Sequence, residues 1–280
     1  LYLRANKPEE GEEAAIALAY TSTQTSCIIS DSKTAISNFY QRVNQVAEPS
    51  QEIQDVLARH PDVFKEGIDG YVGPLVHLDK GEGATPQFCK ARPVPLAYQQ
   101  PIEKELDRLQ KRDILEPTQH VEMATLLVWL RKKDGTLRVC GDYRSTVKVV
   151  VKKTVYPLPT TAEVFAKLRG GTTFSMLDLN QAYQQLRVDD DTAALLTVNT
   201  TKGLFKVKRV PFGVSAVPAI FQQMMETTLA GIQGLSVYLD DIVVRGKDVK
   251  EHAQRLEQVL SRLSDKGLRL KQEECRFGIS

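Results

Sequence analysis

The sequence lacks most of the features that announce a small protein's chemistry. It has four cysteines in 280 residues, Cys27, Cys89, Cys140 and Cys275, and no two of them form a CxxC pair. That spacing excludes a disulfide framework or a thiolate zinc site and suits reduced thiols inside a cell. The four histidines, His60, His77, His120 and His252, are equally scattered and give no metal-ligand spacing. No apolar run is long enough to span a bilayer and no signal-like segment opens the chain, so an intracellular protein with no membrane partner is expected. An excess of one charge is lacking too. Lys and Arg number 37 against 35 Asp and Glu, a net charge of +2, so any attraction for nucleic acid has to be local. No internal repeat is visible.

What remains is ordinary globular composition, 42% hydrophobic and 26% charged, in a chain long enough to bury a core without staples. The first residue is Leu1 and not Met, which reads as a fragment or a processed product. Residues 1–50 carry an acidic cluster, Glu9, Glu10, Glu12 and Glu13, and then a Ser/Thr-rich stretch. They read as an irregular lead-in or linker. Residues 51–100 read as an N-terminal extension and residues 101–280 as the main unit. In the extension Ile53, Val56 and Leu57 form a helical stripe ended by Pro61. Pro101 to Leu109 predicts a helix with Pro101 in its first turn and Ile102, Leu106 and Leu109 on one face. Ala124 to Leu130 and Leu137 to Cys140 predict a hairpin around the turn Lys133-Asp134-Gly135-Thr136. Three further helices follow. One carries Ala162, Phe165 and Leu168 and stops at Gly170-Gly171; a second starts at Pro218 with Ile220, Met224 and Leu229 spaced for burial. The last runs from about Glu251 to Asp265, with Ala253, Leu256, Val259, Leu260 and Leu263 inward and Gly267 as its stop. Strands and helices mix without strict alternation, which predicts an α+β fold.

Two segments carry the chemistry. Thr173 to Asp178 is an apolar strand ending in an acid. Leu235 to Leu239 and Ile242 to Val244 are apolar runs flanking Asp240-Asp241, the pattern of a hairpin with acids at its tip. A bare Asp-Asp pair is usually a solvated turn. Here, with strands on both sides and a matching acid upstream, the three aspartates read as hard-oxygen ligands for Mg²⁺. Such a set can hold two ions about 3.5–4 Å apart for phosphoryl or nucleotidyl transfer. Positive charge gathers separately. Residues 131–153 contain eight Lys or Arg and two Asp, a local net of 8 − 2 = +6, and Lys202, Lys206, Lys208 and Arg209 form a second patch with no acid among them. Basic runs are commonly plain solvated surface, yet such surfaces attract a phosphate backbone.

These motifs resemble a known family. Tyr238-Leu239-Asp240-Asp241 resembles the YxDD box of reverse transcriptases, and Phe174 to Tyr183, FSMLDLNQAY, resembles their first palm motif. Pro211 to Gln222, PFGVSAVPAIFQ, is similar to a motif of gypsy-type LTR retrotransposons. Arg131 to Arg144, RKKDGTLRVCGDYR, resembles their fingers motif, with Tyr156-Pro-Leu-Pro159 after it. The resemblance runs from about Pro61 to the end of the chain. It implies a right-hand polymerase fold of fingers and palm, with an antiparallel palm sheet packed on helices and the thumb missing. It also implies an RNA-directed DNA polymerase that adds dNTPs to a primer 3′-hydroxyl on an RNA or DNA template.

The resemblance assigns roles by position. Asp178, Asp240 and Asp241 would be catalytic and bind two Mg²⁺, with Mn²⁺ as a substitute and the Leu179 backbone close to the metal. Lys132, Arg138, Tyr183, Phe212 and Gly213 would line the dNTP site, with Tyr183 excluding a 2′-hydroxyl. Arg144, Tyr238, Gln222, Lys206 and Lys208 would face nucleic acid. The parent polyprotein would supply a thumb and a ribonuclease H domain, and the family implies a cytoplasmic particle. Four positions depart from the family pattern. Lys148 stands where an Asn is usual, Val217 where a smaller residue is usual, and Glu274 where a Lys often precedes the cysteine. A Pro common in the strand Ala124 to Val128 is absent. Two alternatives follow: a truncated, inactive retroelement remnant that binds nucleic acid without catalysis, or another two-metal enzyme, such as a nuclease or phosphatase, sharing only the acids.

Overall fold

The computed structural model describes residues 48–131, 137–152 and 154–279. The lead-in up to residue 47 and the predicted turn at residues 133–136 lie outside the described residues. A mixed five-stranded sheet and an antiparallel four-stranded sheet organise the fold, as expected for fingers and palm.

Helix α1 (Gln51–Arg59) buries Ile53 and Val56, as its stripe predicts. Helix α2 (Leu96–Lys111) buries Ile102, Leu106 and Leu109. It begins five residues before the predicted start, so Pro101 lies inside it. The proline removes one hydrogen bond, and burial of the face outweighs that loss. Strands β1 (Leu115–Thr118), β2 (Thr125–Arg131) and β3 (Leu137–Gly141) come next. β2 and β3 pair antiparallel as the hairpin predicts. A short helix α3 (Val147–Val150) and helix α4 (Thr161–Leu168) follow. The α4 N-terminus is closed by a capping box between Thr160 and Glu163. Its buried face is Val164 and Leu168, whereas Phe165 is exposed, so the face is rotated from the predicted one.

The palm begins with β4 (Thr173–Asp178), whose residues alternate buried and half-buried. Helix α5 (Asp190–Leu195), β5 (Val198–Thr200) and β6 (Gly203–Val207) return to the first sheet, whose order is β1-β6-β5-β2-β3. Helix α6 (Val217–Thr228) buries Val217, Pro218, Phe221, Gln222 and Met225. The predicted Ile220 and Met224 are only partly buried, because the strand hairpin that follows packs against the neighbouring stripe. That hairpin is β7 (Leu235–Tyr238) and β8 (Asp241–Gly246). Helix α7 (Val249–Asp265) and β9 (Arg276–Ile279) complete the palm, whose sheet order is β7-β8-β4-β9.

Helix α7 lies on β8 and β4, and α1 lies on α7. Leu256, Val259, Leu260 and Leu263 are fully buried there, each contributing about 1.5–3 kcal/mol by apolar transfer. Residues 51–70 are therefore part of the palm core, since Ile53, Val56, Val63 and Ile68 join the same cluster. Gly267 ends α7 with φ +64, and a β-carbon there would lie 1.6 Å from the Gly70 carbonyl oxygen. No other residue could bring the extension this close.

His252, on the first turns of α7, is fully buried with neither ring nitrogen hydrogen-bonded. Burial, reinforced by the nearby Arg255 charge, holds its pKa at about 4. The folded chain then binds fewer protons than the unfolded one. Its stabilising share is complete above the ordinary histidine pKa of about 6.5 and is lost as pH falls toward 4. His252→Leu is expected to flatten the acid limb of the stability curve. In urea titrations from pH 7 to pH 4 the wild type should lose about 3 kcal/mol more than the variant.

Candidate active site

The three aspartates meet through strand register. Asp241 opens β8 directly opposite Asp178 at the end of β4, and Tyr238 at the end of β7 pairs with the same Asp241. Cross-strand partners share a face, so Asp178 and Asp241 are neighbours, and Asp240 sits in the two-residue turn between β7 and β8. All three are half-buried. Leu239, the first residue of the turn, has φ +56. That conformation costs a side-chain-bearing residue about 1–2 kcal/mol, so the surroundings must hold it. Leu239 is buried with Val164, Leu168, Tyr238 and Val243.

Two residues expected against nucleic acid are instead interior. Tyr238 is 1% exposed in the cluster under α4. Gln222 is fully buried and spans the turn: its Nε2 donates to the Val237 carbonyl at 3.0 Å, and its Oε1 accepts from the Leu239 N–H at 2.7 Å. A Gln between Phe221 and Gln223 on a helix gives no sequence signal for this.

The segment after Asp178 is held from below. The Lys271 N–H donates to the Asp178 carbonyl at 2.9 Å, and Leu179, expected near the metal by its backbone, forms a bridge with Leu270. Asn180 Nδ2 donates to the Gly67 carbonyl at 3.1 Å. Gln185 Nε2 donates to the carbonyls of Asn180 and Arg269 at 2.8 and 2.9 Å. Cys275 lies alongside, its Sγ accepting from the Asp178 N–H at 3.3 Å, and burial pushes its thiol up to about 12. Glu274, the departure from the family pattern, forms an ion pair with Lys271.

The second basic patch is largely neutralised by acids brought from elsewhere in the fold. Lys208 Nζ lies 3.1 Å from Glu116 and 3.6 Å from Asp190, and Lys202 Nζ lies 2.8 Å from Asp107. Lys206 is partly exposed on β6. Arg209 is not surface at all. It is 2% exposed, donates to the carbonyls of Ile68 and Gln184 at 3.0 and 3.1 Å, and pairs with Asp69. It thereby ties the extension to the loop that carries Tyr183.

On the fingers side, Lys132 lies outside the described residues. The Arg138 guanidinium stands 4.3 Å from the centre of the Phe212 ring, a cation–π contact. Phe212 in turn packs on Tyr183 at 5.3 Å, and Tyr183 packs edge-on against Phe221 at 5.0 Å. Tyr183 is 4% exposed, so it forms a floor to the site and not an open wall. Gly213 has φ +91, while a β-carbon there would make only ordinary contacts; glycine is needed for its backbone conformation and not for close approach. Arg144 is bound through two bonds to Asp142, at 2.8 and 2.7 Å, whose carboxyl it lowers. Lys148 lies in α3, the short helix that forms the turn after Arg144. A cavity of about 290 Å³ opens between β3, α2 and the Phe212 loop, lined by Arg138, Phe212, Arg108, Tyr143 and Gln181.

Three carboxylates at one end of paired strands are hard-oxygen donors that suit a divalent cation completed by water or phosphate oxygens. Among the described residues no group of three or more His, Cys, Asp or Glu side chains is placed to hold a metal ion by itself.

The sequence pattern of the "Reverse transcriptase (RNA-dependent DNA polymerase)" family matches residues 130–279. The chain belongs to the reverse transcriptase family. Its domain is of the RNA-directed DNA polymerase class of nucleotidyltransferases. It is similar to an uncharacterized protein of Caenorhabditis elegans, 35% identical over 243 residues, covering 85% of this chain and 19% of that protein. It is also similar to the transposon Tf2-3 polyprotein of Schizosaccharomyces pombe, 30% identical over 256 residues, covering 89% of this chain and 19% of the polyprotein. The chain thus spans about one fifth of these relatives' length. In fold it resembles the prototype foamy virus protease–reverse transcriptase, with a TM-score of 0.75 at 22% identity over 87% of this chain and 33% of that one. The foamy viral enzyme in complex with an RNA/DNA hybrid gives a TM-score of 0.74 at 21% identity, covering 86% and 33%.

Arg209 supplies the test of the lower half of the site. Arg209→Ala strands buried carbonyls and is expected to cost about 2–4 kcal/mol in urea unfolding. Arg209→Lys should recover only part, because one ammonium cannot span these acceptors. Lys202→Ala, at a solvated pair, should stay within about 1 kcal/mol of wild type.

Proposed function

We propose that this domain copies an RNA or DNA template by two-metal transfer of dNTPs onto a primer 3′-hydroxyl, as part of a gypsy-type LTR retrotransposon polyprotein. The observation that carries the reading is the register that sets Asp178 opposite Asp241 with Asp240 in the adjoining turn. When bound, two Mg²⁺ ions (or Mn²⁺) supply Lewis acidity at the α-phosphate and lower the pKa of the primer hydroxyl. Asp178, Asp240 and Asp241 would hold the cations at the end of the paired strands. Arg138, steadied on Phe212, offers a planar fork to the triphosphate, and Lys132 would add charge from the hairpin tip. Tyr183, wedged between Phe212 and Phe221, presents a fixed floor beneath the incoming sugar. Gly213 gives the Phe212 loop the backbone turn it needs. The gypsy-type assignment rests on PFGVSAVPAIFQ at residues 211–222. The polyprotein's remaining length would furnish the thumb and ribonuclease H domains, and the nucleic-acid complexes of the foamy viral neighbours support a primer–template partner.

Primer extension on a primed RNA template with Mg²⁺ tests the proposal. Asp240→Asn or Asp178→Asn should lower extension by at least about a hundredfold while primer–template binding stays within about threefold, since the loss falls on transition-state charge. Equal, background extension by wild type and variant, with salt-dependent binding retained, would favour the non-catalytic remnant instead. Phe212→Ala should raise the KM for dNTP about fivefold as Arg138 loses its ring.

A further inference from the structure

Gln222 is on α6, outside the aspartate hairpin, yet it makes the polar contacts on both sides of Tyr238. Its Nε2 serves the Val237 carbonyl and its Oε1 serves the Leu239 N–H, at 3.0 and 2.7 Å. These two bonds dictate which way the amide faces. A second donation from Nε2, to Glu226 Oε1 at 2.9 Å, reinforces that orientation one helical turn along α6. Glu226 Oε2 is in turn bonded by the hydroxyl of half-buried Tyr156. The result is a hydrogen-bonded chain from the Tyr156-Pro-Leu-Pro159 segment, through one carboxylate and one amide, to the only residue of the turn with a positive φ. Leu239 immediately precedes Asp240, so a change in its φ would swing that carboxylate.

We propose that Gln222 is a positioning residue that holds the Leu239 turn in its left-handed conformation and so fixes Asp240 beside Asp178 and Asp241, with Glu226 and Tyr156 as its anchor. The magnitudes support the assignment. The left-handed Leu costs about 1–2 kcal/mol, and one buried amide satisfying two backbone groups contributes about the same or more, because leaving either group unmade costs about 1–3 kcal/mol. The turn is balanced on this side chain. The inference rests on the polymerase reading only for its kinetic consequence; the geometric claim stands apart from it.

Amide hydrogen exchange on the full chain reads the geometric claim directly, with kinetics alongside. In Gln222→Ala the Leu239 amide should exchange at least about tenfold faster, while Val259 and Leu260 in α7 keep their protection. The same variant should lower kcat for extension at least about tenfold with the KM for dNTP within about twofold, the split expected when alignment and not binding is lost. Tyr156→Phe and Glu226→Gln should move the Leu239 amide in the same direction by about two- to fivefold, and they serve if Gln222→Ala does not fold. An unchanged Leu239 exchange rate in the folded variants would overturn the proposal. If wild type extends no primer while Leu239 responds as expected, the polymerase reading fails and the positioning role survives.

Discussion

The pairing of β4 with β8 is the constraint on which the site depends. Side chains alternate along a strand with a period of two, so a slip of one residue would reverse the faces of Phe174 to Asp178 against the palm core. Leu177 would then leave the interior and Asp178 would enter it. Burial of Leu177, Ile242 and Val244 in the core shared with α7 therefore fixes the aspartates' relation more firmly than any bond between the acids could. Two like charges at one level of a sheet repel, and the sheet's apolar face outweighs that repulsion. The placement of Asp178 and Asp241 is thus set by packing on the opposite side of the strands.

The same logic extends to residues far away in sequence. The segment at residues 51–70 packs into the palm core through Ile53, Val56, Val63 and Ile68, and its carbonyls at Gly67 and Ile68 receive Asn180 and Arg209. Burying a guanidinium is costly unless its hydrogen bonds are met. Arg209 meets most of them through its terminal nitrogens, on the Ile68 and Gln184 carbonyls and on Asp69, while its Nε makes no hydrogen bond among the described residues. The extension is therefore a support for the segment after Asp178.

Much of this was legible in the sequence, and the illegible part has a common cause. Apolar periodicity marked α1, α7 and the strands around Asp178 and Asp240, because long amphipathic or β-rich runs admit few alternatives. The buried faces of α4 and α6 lie one stripe from those their sequences suggest, since short apolar helices such as VPAIFQQMM offer several equally greasy faces and the choice belongs to tertiary partners. Pro101 suggested a helix start because a proline is usually found there, but Pro95 and Leu96 lie close enough upstream to take that place. Polar residues were the hardest. Gln222, Tyr238 and Arg209 carry no sequence mark that separates a buried hydrogen bond from a contact with nucleic acid.

Where the positive charge ends up follows from magnitudes. Arg144 with Asp142, Lys202 with Asp107 and Lys208 with Glu116 are ion pairs in which the basic side chain or its acid is solvated. Exposed pairs of this kind are worth about 0–1 kcal/mol. A phosphate backbone offers a comparable partner together with release of its counterions, so these lysines and Arg144 can exchange an internal acid for a phosphate at little cost. Arg209 cannot, because its partners are buried carbonyls and moving it would expose them unmade. A net charge of +2 is thus compatible with strong local attraction at low salt. Among Arg144, Lys202, Lys208 and Arg209, depth separates three side chains able to change partners from one that holds the fold.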